Sequence, residues 1–300
     1  MDTKQQKETL TYFKNFAKDW KEKATGQKLF KVNVINQRNG FVLEVIKSRP
    51  SNTTTLDVGC GTGELVHETA KLNIHAIGVD FSSEMIELAK ETATKENINN
   101  TEFVCASIYD YVIDNGSVDV ISANGFLEYI SYEQFDQFLT KSYEMLKNDG
   151  ALVLGSRNRL YNIFSLNEYT LNEITSNNIE GLYQEAICLS TLTHPSELLK
   201  IKAVPLESPD AKHGYTGIDV STRFQFTPAQ LVQMLDAKGF KVEALCPVHI
   251  HGTSPAYASS HKEIHYNISN LLSQVSNEEK ESRYKLIPNA SSFMIHAVKK

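Results

Sequence analysis

The sequence predicts an α/β protein with a doubly wound sheet, because segments of strand character alternate with segments of helical character. The β-branched and apolar run 54–58 is followed by a glycine-rich turn and then by an amphipathic helix. Gly59, Gly61 and Gly63 lie at alternate positions in that turn. Glycine reaches positive φ and has no Cβ, so backbone N–H groups can lie against a ligand at the helix N-terminus. This pattern is typical of a nucleotide-type cofactor site.

Composition indicates an ordinary globular protein of 300 residues, with 41% hydrophobic residues and a net charge of −6. That length fits one large α/β domain with additions, or two domains. Lysines and arginines are scattered, so we expect no nucleic-acid partner. The four cysteines form no C-x-x-C pair, and no run approaches the ~18 apolar residues that span a bilayer. We therefore expect a cytoplasmic protein with no disulfides and no membrane partner.

Residues 57–63, Asp-Val-Gly-Cys-Gly-Thr-Gly, are followed by Val79 and Asp80 about one βα unit later. This pair of motifs resembles the class I S-adenosylmethionine-dependent methyltransferases. The dinucleotide fingerprint G-x-G-x-x-G is the nearest rival, but here the third glycine comes only two residues after the second. The resemblance implies S-adenosyl-L-methionine as cofactor, with Asp57 directed to its ammonium group. It also implies a Rossmann-like seven-stranded sheet with a C-terminal antiparallel hairpin, N-terminal helices and a lid insertion.

Asp80 ends the second predicted strand, where one carboxylate can accept hydrogen bonds from both ribose hydroxyls. We favour this role over helix capping, which Ser82 or Ser83 performs better. Phe81 and Met85 either flank the adenine or pack in the core.

Ser107 and Ile108 follow the third strand, where the family usually has Gly-Asp-Ala. In the family that Asp accepts a hydrogen bond from the adenine amine. Ser107 can accept the same bond without a full charge, so adenine recognition should depend more on the backbone and on stacking. Asn124 ends the fourth strand, on the edge that faces cofactor and substrate. Tyr129 stands where many relatives have His.

The chain divides into four predicted parts. Residues 1–50 form helices that cover the cofactor, with Phe13, Phe16, Ala17 and Trp20 on one apolar face. Residues 51–155 form the cofactor-binding core, and 156–226 form a lid over the substrate, with no long apolar period. Residues 227–300 complete the core and carry an inserted helix near 268–284, which either caps a sheet edge or joins a second copy in a homodimer.

Arg38 lies in the second of these helices. Its surroundings are similar to the stretch that, in ubiquinone-type O-methyltransferases, lays an arginine near the cofactor's carboxylate. A guanidinium group suits a carboxylate, so Arg38 is a candidate for that contact. A surface arginine on an amphipathic helix is the alternative.

Four residues are candidates for the base that assists an oxygen nucleophile: His213, Tyr215, His249 and His251. We favour His249 and His251, whose imidazoles should lie on one side of an extended segment. A solvated strand face is the alternative. The pair lacks an evident acidic third ligand, so we expect no metal.

These observations predict a methyltransferase that methylates a small-molecule acceptor at oxygen by in-line transfer. A non-catalytic cofactor-binding or regulatory protein on the same fold is the second hypothesis, because Ser107 and Tyr129 depart from the family. An NAD-dependent oxidoreductase is the third, and the glycine spacing disfavours it.

Overall fold

The computed structural model describes residues 4–25, 33–207, 224–280 and 282–300. These residues contain a single mixed sheet of seven strands. The strands are β1 (Thr54–Val58), β2 (His75–Asp80), β3 (Thr101–Cys105), β4 (Val118–Ala123), β5 (Leu146–Arg157), β6 (Phe240–Ile250) and β7 (Ala290–Lys299).

The strand order is β3-β2-β1-β4-β5-β7-β6. Strands β1 to β5 pair in parallel, whereas β7 runs antiparallel to both β5 and β6. The predicted α/β class, the seven-stranded sheet and its C-terminal antiparallel hairpin are therefore confirmed. Strand order reverses between β1 and β4, and a crevice for ligands forms at such a point, beyond the carboxyl ends of the strands.

Eleven α-helices surround the sheet in the described residues. They are α1 (Lys4–Thr25), α2 (Val34–Lys47), α3 (Glu64–Ala70), α4 (Ser83–Lys95), α5 (Tyr132–Met145), α6 (Asn162–Ser165), α7 (Glu168–Thr175), α8 (Ile179–Thr191), α9 (Pro228–Ala237), α10 (Pro255–Ser260) and α11 (Lys262–Glu278).

Helix starts follow their sequence signals. Ser131 and Thr227 cap α5 and α9, each in a capping box with the glutamine three residues later. Ser82 caps α4, accepting a hydrogen bond from the N–H of Met85. Of the two candidates for this cap, Ser82 and Ser83, the structure selects Ser82.

Both faces of the sheet are covered by apolar helix faces. Helix α2 buries Phe41, Val42, Val45 and Ile46 against a cluster that includes Val153 of β5. Helices α5 and α9 bury their apolar faces in the larger cluster on the sheet. This two-sided cover is typical of a parallel sheet, whose strands are apolar on both faces.

Helix α1 differs from the predicted apolar face. Phe16 has non-helical dihedral angles (φ −114°, ψ 17°) and is 45% exposed, whereas Tyr12 and Ala17 are buried. The kink at Phe16 breaks the 3.6-residue period, so the face predicted from a straight helix is wrong at Phe16. The side chain of Trp20 lies outside the described residues.

The predicted lid, residues 156–226, contains more helix than expected. Helix α8 buries Leu182, Ala186 and Leu189 at helical spacing, so the expected absence of an apolar period is wrong. This apolar face was hard to recognise in the sequence, because Ala186 is small and polar residues stand between the three positions. His213 and Tyr215 lie outside the described residues.

A buried ion pair joins the start of this segment, just after β5, to α7. Nε and Nη2 of Arg159 donate to the two carboxylate oxygens of Glu173, each at 2.8 Å. Asn162 and Asn178 also donate to Glu173. The pair is bidentate and its carboxylate accepts further hydrogen bonds, the condition under which a buried ion pair is well compensated.

In the described part of the chain, no helix combines the length and apolarity that crossing a membrane requires.

Candidate active site

A cavity of about 1300 Å³ opens at the carboxyl ends of the parallel strands. One part of its wall comes from the ends of β1, β2 and β4. Helices α1 and α2, from the N-terminal part of the chain, also line the cavity, as do α10 and α11 from its C-terminal part. The segment between β6 and β7, which was expected to cap an edge or join a partner, thus forms a wall of the cavity.

The glycine-rich turn between β1 and α3 is held by its own hydrogen bonds. The N–H of Gly59 donates to the carbonyl of Val79 at 2.8 Å, and the N–H of Gly63 donates to the carbonyl of Cys60 at 3.0 Å. The N–H of Gly61 donates to Asp80 at 3.0 Å. The expectation that these N–H groups serve a ligand is therefore not met in this structure, where they fix the turn.

Gly63 has a packing role. Its φ is +83°, and a Cβ at this position would come within 2.8 Å of the Phe103 ring and 3.0 Å of the Ala89 Cβ. Gly63 is absent from the cavity wall, whereas Gly59 and Gly61 belong to it. The third glycine of the motif therefore allows α3 to approach β3, while the first two keep the floor of the cavity free of side chains.

Asp80 lies at the end of β2 with both carboxylate oxygens in use. Oδ1 accepts from the N–H of Ser82 at 2.9 Å, and Oδ2 accepts from the N–H of Gly61. Each oxygen retains a further lone pair, and Asp80 lines the cavity. Burial raises the pKa of Asp80 to about 6, although the N–H groups of Ser82, Gly61 and Phe81 lower it. The geometry fits a carboxylate that accepts hydrogen bonds from a ribose.

Asp57 lies at the end of β1 and pairs across the sheet with Ser122 of β4. Its Oδ1 accepts a hydrogen bond from the Ser122 hydroxyl at 2.7 Å. Burial raises the pKa of Asp57 to about 7, the Ser122 hydrogen bond lowers it, and the carboxylates of Asp80 and Glu64 raise it. A cationic group in the cavity would lower the pKa of Asp57 again, because an opposite charge favours the ionised carboxylate.

Five other residues predicted to bind the cofactor also line the cavity: Phe81, Met85, Ser107, Ile108 and Asn124. Phe81 is 37% exposed, whereas Met85 and Ile108 are buried. The hydroxyl of Ser107 accepts a hydrogen bond from the N–H of Tyr109 at 3.3 Å. Asn124 donates to the side chain of Asn39 at 3.3 Å, so it ties β4 to α2.

Arg38 lines the cavity and has partners within the protein. Its Nη2 donates to the hydroxyl of Ser292 at 2.8 Å, and its Nη1 lies 3.8 Å from the buried carboxylate of Glu128. Arg157 lies 3.7 Å from the other oxygen of Glu128. Glu128 and Arg157 also line the cavity, and sequence reasoning missed both.

Three imidazoles also line the cavity, and we call His249, His251 and His265 the histidine cluster. The ring centroids of His249 and His251 lie 4.2 Å apart, as expected for residues on one side of an extended segment. His265 comes from α11, and its Nε2 lies 3.1 Å from Nε2 of His249. Sequence reasoning missed His265, because the helix was predicted near 268–284, whereas α11 begins at Lys262.

Burial governs the protonation of the cluster. It lowers the pKa of His249 to about 4, with a further lowering from His265. It lowers the pKa of His251 to about 2, with further lowering from the other two rings. Burial also lowers the pKa of His265. All three rings are therefore neutral at pH 7.

The strand order, the antiparallel β7 and the two carboxylates at the ends of β1 and β2 define a Rossmann-like protein of the methyltransferase class. Comparison with known proteins agrees, since residues 55–150 match a family described as a methyltransferase domain. A ubiquinone biosynthesis O-methyltransferase of Coxiella burnetii is 30% identical over 172 residues, which cover 55% of this chain and 70% of that enzyme. The chain belongs to the class I S-adenosylmethionine-dependent methyltransferases, and S-adenosylmethionine is its cofactor.

Other similarities are more distant or more local. The phosphoethanolamine N-methyltransferase 1 of Zea mays is 32% identical over 111 residues, 36% of this chain and 22% of that enzyme. The chain spans less than two thirds of the length of several curated relatives that it matches. The structure of the magnesium protoporphyrin IX methyltransferase from Synechocystis superposes with a TM-score of 0.57 at 14% identity, covering 99% of this chain and 100% of that one. That likeness concerns the fold.

Proposed function

We propose that this protein transfers a methyl group from S-adenosylmethionine to an oxygen atom of a small-molecule acceptor. The observation that carries the proposal is one cavity whose lining includes Asp57, Asp80 and the histidine cluster. S-adenosylmethionine supplies a methyl group on a sulfonium, which reacts with an aligned nucleophile. Positioning of the two reactants can therefore provide most of the catalysis, about 7–11 kcal/mol in well-oriented reactions.

On the cofactor side, we assign Asp80 to the ribose hydroxyls and Asp57 to the ammonium group. Arg38 is the candidate for the carboxylate, because its guanidinium lines the cavity close to Glu128. Glu128 contacts both Arg38 and Arg157. In this proposal Glu128 acts as a positioning residue that keeps the two guanidinium groups at the cavity wall.

On the acceptor side, methylation at oxygen is supported by the relatives. The match from Coxiella burnetii is named for O-methylation, as is the malonyl-[acyl-carrier protein] O-methyltransferase of Bacillus cereus, which is 31% identical over 129 residues. The maize relative is named for N-methylation. The acceptor atom therefore has to be established by experiment.

The two histidines favoured as base, His249 and His251, have pKa values well below the usual range of an imidazole. A general base works best when its pKa lies near the working pH, whereas burial lowers the pKa of His249 to about 4 and that of His251 to about 2. They accept hydrogen bonds at pH 7 but are weak bases. His213 and Tyr215 remain candidates for the base. The cytoplasmic location, the four domain boundaries and the homodimer also remain part of this proposal.

The test uses the full chain and S-adenosylmethionine with a labelled methyl group, incubated with panels of phenols, carboxylic acids and amines and with a small-molecule cell extract. We expect formation of S-adenosylhomocysteine and, by mass spectrometry and NMR, a product methylated at oxygen. A product methylated at nitrogen or carbon would refute the acceptor atom. Cofactor binding without turnover on any acceptor would favour the non-catalytic alternative.

A further inference from the structure

The histidine cluster combines side chains from two separate elements. His249 and His251 lie at and just after the end of β6, and His265 lies on α11. One nitrogen from each ring lies within 4.8 Å of the corresponding atoms of the other two. The centroid of the His251 ring is 4.2 Å from that of His249 and 4.8 Å from that of His265. The three rings therefore surround a common point.

The nitrogen atoms of these rings are poorly satisfied by the described residues. Both ring nitrogens of His251 and Nδ1 of His265 are buried without a hydrogen-bond partner there. The 3.1 Å contact between Nε2 of His249 and Nε2 of His265 is a hydrogen bond only if one nitrogen carries a proton and the other does not. Buried polar atoms without partners are costly, and a bound ion is one recognised way to satisfy them.

We propose that His249, His251 and His265 bind one divalent transition-metal ion, with zinc as the ion whose preferences fit best. Zinc accepts three neutral imidazoles and leaves the fourth position of a tetrahedron to water or substrate. Zn–N distances of about 2.0–2.1 Å place the nitrogens of a tetrahedral site about 3.3 Å apart. The 3.1 Å separation of His249 and His265 is close to that spacing. The other nitrogen pairs lie within 4.8 Å and would move closer together on binding the ion.

The hydroxyl of Ser291 can orient the ring of His249. Nδ1 of His249 lies 3.3 Å from the hydroxyl of Ser291, so this nitrogen can donate there while Nε2 faces the ion. Metal-bound imidazoles usually donate their other N–H to such a partner, which fixes the tautomer. The backbone N–H of His249 donates to Oε1 of Gln37 at 2.8 Å, and its φ is +53°. A left-handed conformation at a histidine is held only by surrounding contacts, and such strain is common at functional sites.

All three residues line the cavity that we assign to the acceptor. The existence of the metal site is independent of the proposed function, whereas a role in binding the acceptor rests on it. In that role the open position of the ion would hold the acceptor oxygen and lower the pKa of its hydroxyl, as zinc does for bound water. The hydroxyl proton would then pass to solvent before the methyl group moves from the sulfonium to oxygen, so a strong protein base would be unnecessary.

The test is a titration of the full chain with Co²⁺ after treatment with a chelator and dialysis, followed by visible absorption and by competition with Zn²⁺. We expect one ion per chain, with the intense absorption of a four-coordinate cobalt site. Absence of stoichiometric binding by the wild-type protein would overturn the proposal, whatever the variants do.

Variants identify the ligands. His249→Ala, His251→Ala and His265→Ala should each weaken binding by more than the roughly 10–100-fold that loss of an orienting partner costs, and Ser291→Ala should weaken it within that range. His261→Ala is the matched control, because His261 is exposed and stacks on Tyr257 one turn before His265. Unchanged affinity in the three cluster variants would refute the assignment.

Thermal melts confirm that each variant is folded, and His265→Gln replaces the alanine variant if the latter unfolds. Calorimetry with S-adenosylmethionine separates this inference from the proposed function. His265→Ala should retain cofactor binding and lose the ion, whereas Asp80→Asn should retain the ion and lose cofactor affinity.

Discussion

The carboxylate of Asp80 accepts a hydrogen bond from the backbone N–H of Gly61 at 3.0 Å. This bond joins the end of β2 to the turn that follows β1, so the residue assigned to the ribose also shapes the floor beneath it. A change at Asp80 therefore affects both a direct ligand contact and the turn.

Asp80→Asn should weaken S-adenosylmethionine binding. A hydrogen bond to a charged group contributes about 1.5–3 kcal/mol, which corresponds to a loss of roughly 10- to 100-fold in affinity. Isothermal calorimetry measures the change. Asp136→Asn is the control, because Asp136 is exposed and pairs with Lys238 at the surface. Equal affinity in Asp80→Asn and wild type would contradict the ribose assignment.

Cofactor binding should depend on pH through Asp57. Burial raises the pKa of this carboxyl to about 7 in the free protein, so much of it is protonated at about pH 6.5. An ammonium group beside Asp57 favours the ionised form, so binding releases a proton and affinity rises with pH, by at most about tenfold per unit for one proton, up to about pH 7.

Calorimetry in buffers of different ionisation enthalpy measures that proton release. Asp57→Asn should reduce the release and flatten the pH dependence, with Asp80, whose pKa is about 6, contributing the remainder. An unchanged profile in Asp57→Asn would show that Asp57 does not face the ammonium group.

Gly63→Ala should destabilise the fold without a direct contact to the cofactor. The new Cβ would lie 2.8 Å from the Phe103 ring, at a φ of +83°. Overpacking of this kind costs about 1–3 kcal/mol, and the left-handed backbone adds to it. Chemical denaturation measures the free energy of unfolding.

Gly40→Ala is the matched control for that variant. Gly40 lies inside α2, and apart from the backbone of its own helix no atom lies within 4 Å of the point where a Cβ would stand. Alanine should raise the free energy of unfolding there by up to about 1 kcal/mol, because it has the higher helix propensity. A loss of stability at Gly40 equal to that at Gly63 would mean that packing around Phe103 is not the cause.

Glu173→Gln should lower stability by up to about 3–5 kcal/mol, because it removes the bidentate charged partner of the buried Arg159 guanidinium. The longer contact of Arg159 with Glu207, at 3.3 Å, remains in this variant. Glu44→Gln breaks an exposed ion pair with Lys280 and should cost less than about 1 kcal/mol. Thermal and denaturant unfolding compare the two. Similar small losses in both variants would show that Arg159 finds other acceptors.

Most of the fold followed from local sequence signals. The run 54–58 predicted β1, and Asp80 was predicted to end β2, and both predictions are confirmed in the structure. These signals depend only on residues close together in the chain, so they can be recognised without knowledge of the tertiary structure. The kink at Phe16 was not predictable from spacing, because a hydrophobic period assumes a straight helix.

The candidate site was predictable where a motif, a strand end or a family resemblance pointed to it, as for Arg38, His249 and His251, which also line the cavity. Asp57 and Asp80 are fixed by the βα units that contain them, and both line the cavity. Glu128, Arg157 and His265 were missed because their proximity to the site depends on how distant segments pack. His265 is brought to His249 by α11, and no spacing within the chain encodes that meeting.

The segment that connects β6 to β7 contributes α10 and α11 to the cavity, yet the sheet pairing of these two strands does not include it. A short hairpin in place of α10 and α11 would leave Asp57 and Asp80 at the ends of β1 and β2 and would remove the third imidazole. The shape of this end of the cavity therefore depends on one connection that the sheet itself does not need.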